Sequence, residues 1–139
     1  MSLPKIVVFD TNALISAALL KYSVTAKAFD HAVKFASIAI SDPVLDEFIE
    51  VLFRKKLDRY FLSEDERLEP IRFLETKATK FEIKEKITEC KDPDDNMVLE
   101  LAIASNASCI ITGDKKHLIP LSPFRGIPIM RPDEFLKSF

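Results

Sequence analysis

Four carboxylates stand where a folded chain could bring them together. Asp10 ends the apolar run Ile6-Val7-Val8-Phe9, and Asp114 follows a second apolar run, Ser108 to Thr112, after Gly113. Asp95 opens a helical stretch, and Glu47 lies within another, between Val44 and Val51 at the seam of its apolar face. Each alone has an ordinary explanation. Asp10 or Thr11 would cap the helix that follows. Asp92, Asp94, Asp95 and Asn96 compete for one cap, where the helix dipole favours acids. Glu47 would be a boundary residue at the surface, and Asp46 and Glu50 solvated charges. Gathered in one crevice, however, the four would repel and raise one another's pKa unless a cation neutralised them. Oxygen donors without a cluster of His or Cys suit Mg²⁺ or Mn²⁺ better than zinc. An ion of that kind in an acidic pocket suits phosphodiester hydrolysis, because it activates water and stabilises charge on the attacking and leaving oxygens.

The elements needed to position these acids can be read in chain order. Ile6–Phe9 is continuously apolar and β-branched, the habit of a strand buried on both faces in a parallel sheet. Ala13–Leu20 and Ser23–Phe35 read as helices, the second with Ala28, Ala32 and Phe35 along one stripe. Ser37–Ile40 is a short strand. Ser41-Asp42-Pro43 starts a helix whose apolar face is Leu45, Phe48, Ile49, Leu52 and Phe53, and the basic run Arg54 to Arg59 suits its C-terminus. Ser63 begins a further helix, to about Thr79, in capping-box style, with Pro70 in its early turns. Phe81–Ile87 alternates weakly, as an extended segment would. A helix over about Asn96–Ser105, a strand over Ser108–Thr112, a last strand over Ile127–Met130 and a turn of helix from Pro132 complete the chain. Strands alternating with helices predict parallel βαβ units and a three-layer α/β/α sandwich. If the first strand and the Ser108–Thr112 strand are neighbours at the switch point, Asp10 and Asp114 sit on strands about 4.8 Å apart, beyond the carboxyl ends where such folds bind ligands.

Composition bounds the alternatives. A chain of 139 residues, 47% of them hydrophobic, predicts one domain, residues 1–139, with a real core. No apolar run of transmembrane length and no signal-peptide pattern is present, so a cytoplasmic protein is expected, with no membrane partner. Two glycines, Gly113 and Gly126, exclude a Walker A loop and a dinucleotide-binding G-x-G-x-x-G. Two cysteines make no disulfide framework; Cys109 reads as a core residue. His31 and His117 are the only histidines, which argues against a His-rich zinc site. A net charge of −2 argues neither for nor against nucleic acid. Lys115, Lys116, Arg54, Lys55 and Lys56 are candidate phosphate contacts, although charge runs of this kind are commonly a solvated face.

The motifs V-V-F-D-T-N (Val7–Asn12), S-D-P-V-L-D-E-F (Ser41–Phe48), D-P-D-D-N (Asp92–Asn96) and I-I-T-G-D-K (Ile110–Lys115) occur in that order. Together they resemble the PIN-domain family of metal-dependent ribonucleases, over roughly residues 5–131, and within it the prokaryotic VapC-like toxins of toxin–antitoxin pairs. The resemblance implies a metal-binding quartet of Asp10, Glu47, Asp95 and Asp114, with Mg²⁺ or Mn²⁺ as cofactor. It implies polar support from Asn12 and Thr112, and makes Asp92 an extra acid at the site. It also implies an RNA substrate, an antitoxin partner and a homodimer. Many relatives carry a further Asp two residues after the Asp114 position, where this chain has Lys116 and then His117. Two other readings stay open on the residues. One is a haloacid-dehalogenase-type phosphatase, whose first strand also ends in Asp but which places another Asp where this chain has Asn12. The other is a non-catalytic, partner-binding module.

Overall fold

The computed structural model describes residues 5–114 and 116–138. Its frame is one five-stranded, all-parallel sheet built from β1 (Ile6–Phe9), β2 (Ser37–Ile40), β3 (Thr79–Lys80), β4 (Cys109–Ile111) and β5 (Ile129–Met130), in the order β3-β2-β1-β4-β5. β1 is central because it can be: Val7, Val8 and Phe9 are buried and need helices on both faces to stay dry. The helices α1 (Thr11–Leu19), α2 (Val24–Phe35), α3 (Asp42–Leu52), α4 (Glu64–Lys77), α5 (Pro93–Ser105) and α6 (Pro132–Ser138) flank the sheet, as the βαβ alternation predicts.

Local chemistry sets the helix starts. Ser23, Ser41 and Ser63 each lie in extended backbone and accept, through the side chain, the N–H three residues on. In α3 the predicted apolar face is buried at Phe48 and Leu52, with Leu45 and Ile49 half-buried, and Val44 and Val51 extend it on the Glu47 side.

Apart from shifts of one or two residues at α1, α4, β4 and β5, three boundaries differ from the sequence reading. The basic run does not end α3. That helix stops at Leu52, Arg54 takes extended angles, and Lys55–Tyr60 forms a separate 3-10 segment. The break packs Leu57 and Phe61 against the core, and the Arg67 guanidinium lies over the rings of Phe53 and Phe61. The edge strand is only Thr79–Lys80, not Phe81–Ile87. The weak alternation there reflects Phe81, Ile83 and Ile87 turning inward on a segment held by α5 side chains: the Ile87 N–H donates to Glu100 at 2.9 Å. Finally, α5 begins three residues before Asn96, at Pro93, because Asp92 caps it through the Asp94 N–H at 3.0 Å. Asp94, Asp95 and Asn96 therefore all belong to the first turn.

Candidate active site

Parallel pairing of β1 with β4, Phe9 opposite Ile111, brings the residues after both strands side by side. The Asp10 N–H continues the ladder, donating to the Ile111 carbonyl at 3.1 Å. Asp10 is buried at 5% exposure, and its two oxygens serve two elements. Oδ1 accepts from the Ala13 N–H at 2.7 Å and so caps α1. Oδ2 accepts from the Thr112 hydroxyl, and Thr112 Oγ1 in turn accepts the Asp114 N–H at 2.9 Å. One fully buried threonine thus ties the first acid to the last across two strands.

Asp114 is held by its own loop. The N–H groups of Lys116 and His117 both donate to Oδ1 at 3.0 Å, and the His117 Nδ1 lies 3.4 Å from Oδ2. Asp95 approaches from the first turn of α5, where carboxylate oxygens of Asp95 and Asp114 and an imidazole nitrogen of His117 lie within 4.8 Å of one another. Asp10, Asn12 and Asp114 line one open crevice of about 380 Å³ with Ser16 and Thr25.

The electrostatics show the strain of this gathering. Burial pushes the Asp95 carboxyl up to about 6, and repulsion from Asp114, Asp92 and Asp10 adds to it. Burial likewise raises Asp10, aided by Asp114 and opposed by the bonds from Thr112 and Ala13. At Asp114 burial works upward too, but the two loop N–H donors and the His117 ring outweigh it and leave this acid below its usual value. The site is therefore an anionic cluster of carboxylate oxygens beside one imidazole nitrogen. Both donor types suit a hard or borderline divalent cation, and positive charge there would relieve the repulsion.

Glu47 occupies a different position. It is half-buried on α3, which packs against α5, and its neighbours are Asp94, Glu50 and Arg54. Burial raises its pKa, and repulsion from Asp94 raises it further. Glu47 thus meets the α5 N-terminal turn through Asp94, while Asp95 faces Asp10 and Asp114. Asp92 caps α5 and acts on the cluster by repelling Asp95. Lys116 is exposed, and Lys115 lies outside the described residues. The sequence reading passed over two neighbours. Asp94 reads as one more cap candidate, and His117 as evidence against zinc and as the residue after Lys116. Its spacing from Asp114, three residues, was the signal that could have found it.

Residues 6–116 match a family model described as PIN domain. No curated protein matches the chain. Among solved structures, the VapBC2 assembly of Rickettsia felis, bound to a DNA fragment from its promoter, has 19% sequence identity and a TM-score of 0.62, covering 91% of this chain and 98% of that one. DNA-bound VapBC from Salmonella typhimurium has 16% identity and a TM-score of 0.59, covering 94% of this chain and 99% of that one.

Proposed function

This chain belongs to the PIN-domain family, and from that premise we propose that it is a divalent-metal-dependent endoribonuclease, the toxin of a toxin–antitoxin pair. The observation that carries the proposal is the convergence of Asp10, Asp95 and Asp114 beyond the carboxyl ends of β1 and β4, the place where open α/β sheets keep their ligands. Asp10, Asp95 and Asp114 would hold Mg²⁺ or Mn²⁺. When bound, such a cation supplies a lowered water pKa and positive charge against the phosphate oxygens.

The chain's own residues do the rest. Thr112 fixes Asp10 and the Asp114 backbone in one orientation, so neither acid must reorganise when substrate arrives. The two loop N–H groups do the same for the Asp114 carboxylate. Glu47 and Asp94 form an acid pair at the α5 edge of the site, where Glu47 would help position a second ion or the attacking water. Asn12, exposed on the crevice wall, offers a neutral donor to substrate. Lys116, exposed two residues after Asp114, would be a contact for the RNA backbone. An antitoxin partner and a second copy of the chain belong to the same reading. The solved VapBC assemblies of similar fold support the first, and light scattering of the purified chain tests the second.

The test is cleavage of an end-labelled single-stranded RNA with Mn²⁺ or Mg²⁺. Asp10→Asn should slow cleavage by at least about 100-fold, the scale on which loss of one preorganised charge-stabilising group is felt. Its circular dichroism should stay that of the parent. An Asp10→Asn protein that cuts at the parental rate would overturn the proposal.

A further inference from the structure

The third donor beside Asp95 and Asp114 is a nitrogen. The ring of His117 stands over the open side of Asp114: Nδ1 is 3.4 Å from Oδ2, the oxygen the loop N–H groups leave free, whereas Oδ1 is already taken by Lys116 and His117. The placement is built in. The His117 backbone donates to Asp114 Oδ1, its carbonyl lies 3.8 Å from the buried Cys90 Sγ, and Leu118 behind it is fully buried, so the ring is carried on an anchored turn. The imidazole is about half exposed, and one of its nitrogens lies within 4.8 Å of carboxylate oxygens of Asp95 and Asp114.

We infer that His117 is a metal ligand, completing with Asp95 and Asp114 a mixed oxygen–nitrogen set that favours Mn²⁺ over Mg²⁺. The inference rests on the metal-dependent reading above and goes beyond it in naming a donor and a preference. The physical reason is ligand softness. Mg²⁺ is served by carboxylates and water and gains little from imidazole, whereas Mn²⁺ stands closer to the transition metals that imidazole suits.

The experiment is pulsed EPR on the full chain loaded with Mn²⁺, alongside Mn²⁺ and Mg²⁺ titrations of the parent, His117→Gln and Asp114→Asn. The expected result is ¹⁴N modulation from a directly bound imidazole in the parent and none in His117→Gln. That variant should lose about tenfold in Mn²⁺ affinity, in the range seen when one supporting group of a metal site is removed. Its Mg²⁺ affinity should stay within about twofold of the parent's, because imidazole contributes little to a hard cation. His31, whose ring packs against Phe35 and Phe135, should contribute no signal. Mn²⁺ bound with Asp114-dependent affinity but without ¹⁴N coupling, or coupling that survives in His117→Gln, would overturn the His117 assignment and leave the nuclease reading standing. A parent that binds neither cation at millimolar concentration would overturn both.

Discussion

At the scale of single residues, the site depends on Thr112. Its hydroxyl satisfies a buried carboxylate oxygen and a backbone N–H from different elements. Thr112→Val keeps the shape and strands both partners. It should destabilise the fold by about 1–3 kcal/mol in urea unfolding, because an unsatisfied buried polar group bears its full desolvation cost. Asp95 gives a second expectation with a defined sign. Its folded pKa, about 6, stands above the ordinary value of 3.8. A group raised in this way contributes stability that is complete below the unfolded pKa and is lost as pH rises through the folded one. The metal-free protein should therefore lose stability between about pH 4 and pH 6–7 relative to Asp95→Asn, in which this contribution is absent. The difference is read as Tm against pH for the two proteins. Cation affinity should climb through the same window, because proton and metal compete for one carboxylate.

Among the elements, α5 carries most of the positioning. Asn96 in its first turn makes two bonds to one residue, accepting the Cys90 N–H at 2.8 Å and donating to the Cys90 carbonyl at 2.9 Å. It thereby pins the segment that leads into Asp92 and Asp95. Asn96→Ala should cost about 1–2 kcal/mol, at the usual worth of a hydrogen bond apiece, and should speed amide exchange at Cys90 while leaving β1 and β4 protected. Much of this architecture was legible beforehand. β1 and β2 fall where apolar runs predict them, and the serine caps of α2, α3 and α4 are written in residue type. The adjacency of β1 and β4, which brings Asp10 beside Asp114, is only a condition in the sequence, and it is the parallel pairing of the folded sheet that meets it. The details that escaped have tertiary causes. The turn after α3 forms because Leu57 and Phe61 find the core, and the short β3 because α5 side chains claim the chain beyond it. Residue type makes Asp94 and Asp95 equal cap candidates and could not show that Asp94 would be the one facing Glu47.

For the whole molecule, the folded chain gathers acids that the unfolded chain keeps apart, so a cation that binds the cluster binds the native state alone. At 100 times its dissociation constant such a ligand adds about 2.7 kcal/mol to stability. Addition of Mn²⁺ at pH 7 should raise Tm, chelator should reverse the rise, and Asp114→Asn should abolish it. Among the described residues no helix is long and apolar enough to cross a membrane. The strand order has a consequence for synthesis. β1 sits mid-sheet, and its partner on the β4 side lies 102 residues downstream as measured by the Thr112–Asp10 bond. A nascent chain can pair β1 with β2 early, yet Asp10 cannot meet Asp114 until β4 has left the ribosome. A product interrupted before Asp114 thus lacks the assembled acid cluster, which forms only in chains that extend past β4.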